Sequence, residues 1–278
     1  MKSIINILKG MIIGVANIIP GVSGGTLMII LGIYEEVIDT ISHFFKNFKK
    51  NLKFIIPLGI GMVLSILLLS NVISFSLEKY PFATTIFFIG LIIGGIPILW
   101  KRCSASKSNG SNWLVFFITF GIVLLFTFMK SDNYLVSFDN LNMMGYIKLL
   151  VVGIVAAATM VIPGISGSFV LMLLGYYEPI VNTIKNLTNF SSLGSNILIL
   201  LPFGVGIIVG IVLVAKLIEF LFKKYPVKTN YGVLGFVVAS IISIIIPILN
   251  VHKGFIEIIV AVFLFVIGAI VSYKLGEK

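Results

Sequence analysis

The sequence predicts an all-α polytopic membrane protein built as an inverted repeat, each half holding one re-entrant helical hairpin and three transmembrane helices. Three observations predict it. Of 278 residues, 59% are hydrophobic and only 11% charged, with a mean hydropathy of +1.16, whereas a soluble domain carries about 25% charge to coat its surface. Six stretches are apolar over roughly the 20 residues that a membrane-spanning helix needs. Two further apolar stretches are broken mid-way by proline and glycine, and they match each other. This composition excludes a nucleic-acid-binding domain, and a single cysteine, Cys103, excludes an internal disulfide.

The first broken stretch runs from Ile4 to Leu31 and is interrupted by Pro20-Gly21-Val22-Ser23-Gly24-Gly25. Proline removes a helical hydrogen bond and clustered glycine weakens the helix further, so the chain turns there. Lys2 and Lys9 ahead of an apolar run imitate a signal peptide. The tip motif recurs at the centre of the chain and no small-residue cleavage site follows, so the segment is read as structure. Beyond it, Ile33, Val37, Ile41, Phe44 and Phe48 lie opposite Glu36, Asp39, His43, Lys46 and Lys50, the pattern of an amphipathic helix on the membrane surface. His43 there, and His252 in a short loop, read as solvated.

Three spans follow, Phe54 to Leu77, Phe82 to Trp100 and Trp113 to Met129. The second broken stretch, Tyr146 to Leu174, is interrupted by Pro163-Gly164-Ile165-Ser166-Gly167-Ser168. Three more spans close the chain, Ile197 to Leu221, Tyr231 to Leu249 and Phe255 to Tyr273. The correspondence between halves extends past the tips: Leu31-Gly32-Ile33-Tyr34-Glu35 answers Leu174-Gly175-Tyr176-Tyr177-Glu178, and Lys79-Tyr80-Pro81 answers Lys224-Tyr225-Pro226. Near-constant spacing identifies a duplication, dividing the chain into a first repeat over 1–143 and a second over 144–278.

Loop charge decides how the broken stretches lie. If each dips in and returns, the cytoplasmic side collects Lys2, Lys9, Lys46, Lys49, Lys50, Lys53, Lys101, Arg102, Lys107, Lys216, Lys223, Lys224, Lys228, Lys274 and Lys278, and the outside keeps Lys79, Lys130, Lys148, Lys185 and Lys253. If each crosses fully, the cations divide evenly, against the positive-inside rule. Re-entrant hairpins with arms of about 14 residues, or about 21 Å, therefore fit, with both termini cytoplasmic. The net charge of +10 then reports topology rather than an acidic partner. An odd number of spans per half inverts the second repeat, and inverted repeats with broken helices meeting at the midplane are a transporter pattern.

Non-helical backbone at membrane depth is tolerated where it is buried in protein or lines a wet cavity. A Pro-Gly-x-Ser-Gly tip offers free amides and a hydroxyl at a helix start, which suits an anion. The candidate phosphate-binding residues are Gly21, Ser23, Gly24, Gly25, Thr26, Gly164, Ser166, Gly167 and Ser168. The competing account is close helix packing through small residues. Asn17 has only Met160 opposite it, so the two tips are not equivalent. Glu35 and Glu178, each behind a tyrosine, are candidates for proton or cation coupling or for gating, against a plain interfacial anchoring role. Lys9, Lys148 and Arg102 are candidates for receiving an anionic headgroup, with snorkelling as the bland reading for Arg102. No histidine cluster for a metal, no Cys–His pair and no nucleotide-binding loop is present, so neither a cofactor nor an enzyme's catalytic constellation is expected.

The tips with their flanks, Gly14 to Thr26 with Gly32-Ile33-Tyr34-Glu35-Glu36, and Ala158 to Ser168, resemble the PopT-type bacterial undecaprenyl-phosphate translocases, formerly a membrane family of unknown function. The resemblance spans nearly the whole chain. It implies a bacterial cytoplasmic-membrane protein of cell-wall biogenesis that recycles the C55 carrier, undecaprenyl phosphate, from the outer to the inner leaflet. The resemblance leaves coupling open, and Glu35 and Glu178 are the residues that make a proton or sodium gradient a candidate driving force. Two other classes stay open: a small-anion or ion transporter, which needs an enclosed aqueous cavity, and a lipid-modifying enzyme or assembly factor, with no nucleophile and base found for the enzyme.

Overall fold

A computed structural model describes residues 2–18, 23–104, 109–129, 135–138, 141–188, 193–249, 251 and 254–276. The described residues form helices joined by short turns and irregular segments, with no strand among them, and seven helices are long and apolar enough to cross a membrane by length and composition. In the first half these elements are α1 (Lys2–Ile18), α2 (Gly24–Ile30), α3 (Tyr34–Ser42), α4 (Phe48–Lys79), α5 (Pro81–Ser104) and α6 (Gly110–Phe128). In the second they are α7 (Met143–Val161), α8 (Gly167–Leu173), α9 (Tyr177–Lys185), α10 (Leu193–Lys224), α11 (Pro226–Ile245) and α12 (Phe255–Gly276). The six expected spans are α4, α5, α6, α10, α11 and α12. The seventh apolar helix is α7, the first arm of the second broken stretch.

The broken stretches are less symmetric than two arms of 14 residues. Their first arms, α1 and α7, have 17 and 19 residues, while each return arm is a seven-residue helix followed by a nine-residue one. Local chemistry sets each break. Ile162 precedes Pro163 and is driven to extended backbone (ψ 127°), ending α7. The short helices end at Gly32 (φ 68°) and Gly175 (φ 74°), whose left-handed backbone lets Ile33 N–H bond the Met28 carbonyl and Tyr176 N–H bond the Leu171 carbonyl. Each is a Schellman cap.

The surface amphipathic helix expected over 33–48 is also different. The chain turns at 43–47, where Asn51 Nδ2 donates to the carbonyls of His43 and Phe44. α3 packs on α10 rather than lying free on the membrane.

The helix pairing repeats between halves. α1 packs along α4 as α7 packs along α10, and α5 along α12 as α11 along α6. The first pairing is close to backbone contact: a Cβ on Gly10 would stand 2.1 Å from the Leu58 carbonyl oxygen, and one on Gly61 2.0 Å from that of Ile7. Gly153 and Gly206 face Phe203 and Leu150 in the same way at 2.3 and 2.2 Å. These glycines are the small-residue packing surface of membrane bundles. At the α4–α5 and α10–α11 corners, Tyr80 and Tyr225 share backbone angles (φ −134°, ψ 57° and 56°) ahead of Pro81 and Pro226, which open their helices. Because α5 and α6 pair with α12 and α11, the halves interlock around a central pair, α5 and α11, which pack on each other and are the most buried spans. The pairs α1–α4 and α7–α10 flank it.

Candidate functional site

The two tips meet. Ser23 and Ser166 precede α2 and α8 with matching extended backbone (φ −93°, ψ 128° and 125°), and neither side chain caps its helix. Thr26, fully buried, accepts a hydrogen bond from Gly164 N–H across the junction at 2.9 Å. Tyr34 Oη donates to the Val161 carbonyl at 3.0 Å. A Cβ on Gly25 would lie 3.1 Å from the Val161 carbonyl oxygen and 3.3 Å from Pro163 Cα, so the first tip seats closely on the second. Gly164 adopts φ +81° with its open side 2.6 Å from the Phe236 carbonyl oxygen, a place no side chain fits without displacement.

Replacing Thr26 with valine keeps its shape and strips Gly164 N–H of its acceptor. A buried donor left unsatisfied costs about 1–3 kcal/mol, so Thr26→Val is expected to lower the unfolding midpoint of the purified protein and Thr26→Ser to restore it.

The candidate residues divide into two groups. Gly164 and Ser166 line a cavity of about 220 Å³ with Val123, Phe126 and Thr127 of α6 and Ser243, Ile246 and Pro247 at the end of α11. Ser166 Oγ pairs with Ser168 Oγ at 2.8 Å, and the Thr127 and Ser243 hydroxyls pair across the α6–α11 seam. The cavity thus presents hydroxyls in an otherwise apolar wall, with no charged side chain among its lining residues. Gly167 is buried behind it against Met160 and the Ala156 carbonyl. In the first tip Ser23, Gly24 and Gly25 are buried, and the Ser23 hydroxyl has no partner among the described residues. Gly21 and the Asn17 side chain lie outside the described residues.

The charged candidates sit away from the tips. Glu35 Oε1 pairs with Arg102 Nη1 at 2.5 Å in a largely exposed ion pair. Glu178 and Lys148 are exposed, and Lys9 is buried with its ammonium donating to the Leu31 carbonyl at 2.8 Å, tying α1 to the end of α2. None of these five lines the cavity.

Two features were not anticipated from sequence. Thr127 and Ser243 reach the tip from spans with no motif, their only trace being hydroxyls in apolar helices. His43, read as solvated, joins a polar latch between α3 and α10: Nδ1 lies 3.3 Å from Asp39 Oδ1 and 3.6 Å from Glu219 Oε1, and Lys223 also pairs with Glu219. Asp39, His43 and Glu219 are close enough to share a metal ion, but Glu219 already has the Lys223 ammonium as counter-ion. The latch is backed by Tyr34 edge-on to Phe222 at 6.3 Å. α9, the counterpart of α3, makes no comparable packing against α4 among the described residues.

Sequence comparison places this arrangement among known proteins. Residues 13–259 match the undecaprenyl phosphate translocase-like family. The chain belongs to this family. It is 34% identical over 278 residues to a polyprenyl-phosphate transporter of Staphylococcus aureus, covering 98% of this chain and 96% of that protein. It is 29% identical over 234 residues to a polyprenyl-phosphate transporter of Vibrio cholerae, covering 78% and 70%. No solved structure matches the chain significantly. The apolar helices of the fold suit a multi-pass membrane protein, as the transporter names of these relatives require.

Proposed function

We propose that this protein translocates undecaprenyl phosphate or a closely related polyprenyl phosphate across the bacterial cell membrane, returning the carrier from the outer to the cytoplasmic leaflet. The observation that carries the reading is the hydroxyl-lined cavity at the second tip, set in the α6–α11 seam. An ionised phosphate in hydrocarbon costs tens of kcal/mol by the idealised Born argument, and a polar path is needed only for the headgroup. Ser166, Ser168, Thr127 and Ser243, with the amides opening α8, supply that path, and the polyprenyl tail stays among the lipids.

In this reading the halves are inverted and both termini are cytoplasmic. The latched α3–α10 side and the unlatched α9–α4 side are then two gates of one alternating device, closed at the face that carries His43 and Glu219. Glu35 and Glu178 belong to the rims of the two gates, where they are candidate proton or cation couplers together with Asn17. The Glu35–Arg102 pair is exposed enough that losing it costs at most about 1 kcal/mol. Glu35→Gln and Glu178→Gln are accordingly expected to leave thermal stability unchanged and to remove the stimulation of transport by an imposed pH or sodium gradient.

The test is leaflet-resolved transport of undecaprenyl phosphate in proteoliposomes, run beside uptake of inorganic phosphate and sulfate. Movement of the lipid above protein-free vesicles supports the proposal. Uptake of the small anions without lipid movement would replace it by the ion-transporter reading, and conversion of the lipid to another species by the enzyme reading.

A further inference from the structure

A second cavity, of about 370 Å³, lies on the other side of the same tip. It is bounded by Ile162 and Pro163, by Val115 and Thr119 of α6, and by the facing sides of α10 and α11. Its wall is almost wholly apolar, yet it ends at Lys228. The Lys228 ammonium stands 5.8 Å from the Tyr225 ring centre and that of Lys224 5.5 Å from the same ring. No acid pairs with Lys228 among the described residues. From Lys228 to Phe236 at the tip the groove follows two turns of α11, about 12 Å at 1.5 Å per residue. It is therefore a hydrocarbon slot with the stem of Lys228 at one end, its ammonium beside the mouth, and the tip at the other.

The slot is specific to one half. Aligning Lys79-Tyr80-Pro81 with Lys224-Tyr225-Pro226 sets Ala83 at the place of Lys228 and Phe87 at that of Gly232. The first half thus has no cation at the equivalent mouth and an aromatic ring at the place of Gly232, which here is buried against Val115 and Thr119 of α6. The corner itself is retained, since Thr84 Oγ1 donates to the Ser76 carbonyl as Thr229 Oγ1 does to that of Leu221. An apolar wall running from a lysine with no acidic partner to the tip suits an occupant with one negative charge and a hydrocarbon chain.

We infer that the α6–α10–α11 groove binds the phosphate-proximal isoprene units of a polyprenyl monophosphate, with the phosphate at Lys228 and the chain lying over Gly232 toward the Ile162–Pro163 tip. This rests on the polyprenyl-phosphate reading and adds to it a second resting place for the headgroup, beyond the hydroxyl cavity. A single chain is the occupant this slot suits, and a two-chain phospholipid is the discriminating competitor. Gly232 and Lys228 become specificity-determining residues, one for the chain and one for the charge.

Binding of undecaprenyl phosphate to the detergent-purified full-length protein, followed by native mass spectrometry, tests this with three variants. Gly232→Phe copies the first half and fills the floor. Leu217→Trp fills the slot from the half-exposed α10 side without touching the α6–α11 seam, and Lys228→Gln removes the cation. Each is expected to weaken binding roughly tenfold, the effect of losing one charge-assisted contact or the seat of the chain. Farnesyl phosphate should compete with the C55 lipid, and phosphatidylglycerol at equal concentration should not. Wild-type binding that persists unchanged in Leu217→Trp and Lys228→Gln, or that phosphatidylglycerol displaces, overturns the groove and leaves the translocase reading standing. A wild-type protein that neither binds nor moves the lipid overturns both.

Discussion

Valine in place of Gly164 is expected to abolish polyprenyl-phosphate translocation and to destabilise the protein. Gly164 holds φ +81°, where an L-residue costs about 1–2 kcal/mol. Its missing side chain faces the Phe236 carbonyl oxygen at 2.6 Å, a backbone atom that cannot rotate away, and forced overpacking adds about 1–3 kcal/mol. The only relief is to pull Pro163-Gly164 off α11, which also breaks the Thr26 bond to Gly164 N–H. Each 1.4 kcal/mol lost shifts the equilibrium between seated and displaced tip about tenfold toward the displaced form, and once that form dominates transport should fall by roughly two orders of magnitude or more. Gly204→Ala is the control: a Cβ there meets nothing within 4 Å, and alanine within a helix is favoured over glycine by about 1 kcal/mol. That variant should express, fold and transport like the unmodified protein. Thermal unfolding and lipid transport of the two proteins side by side check both halves of the expectation.

The second large effect is at Ser166. Its hydroxyl lines the cavity and bonds Ser168 without capping α8, so the helix start does not depend on it. Hydrogen bonds to charged groups contribute about 1.5–3 kcal/mol each, and Ser166→Ala is therefore expected to slow transport by about ten- to a hundredfold. Ser166→Leu also fills the cavity with branched hydrocarbon and should stop transport altogether, while the unfolding midpoint changes little. Near-normal transport by Ser166→Leu would remove the phosphate from the second tip.

How much of this was legible in the sequence depends on range. The second tip and the Lys-Tyr-Pro corners are short-range backbone chemistry, in which proline and glycine act on their immediate neighbours, and they emerge at the expected residues. The arm lengths were not legible. Gly32 and Gly175 were visible as a matched pair, but a glycine inside an apolar run does not declare itself a helix C-cap until its carbonyl partners are in place. The continuous amphipathic pattern over 33–48 hid the turn at 43–47, since helical periodicity survives a break whose flanking helices face the same neighbour.

The site divides along the same line. Gly164 and Ser166 were legible because the motif itself carries them. Thr127 and Ser243 come from spans distant in sequence and are brought to the tip only by the pairing of α6 with α11. His43 belongs to a contact with Glu219 of the other half, which no local reading of α3 contains. Lys9 illustrates the converse: its place near a hairpin base is visible in the sequence, but the bond from its ammonium to the Leu31 carbonyl, which ties α1 to the end of α2, is not.

The account turns on the headgroup passing through the α6–α11 seam at the second tip. Thr127 and Ser243 touch across that seam, and Cys103 is the native cysteine of the chain. The direct test is therefore Thr127→Cys with Ser243→Cys in a Cys103→Ser background, assayed for undecaprenyl-phosphate transport in proteoliposomes before and after oxidation. The account predicts transport in the reduced protein, its loss when the disulfide staples the seam, and its return on reduction. Undiminished transport by the fully cross-linked protein would contradict it.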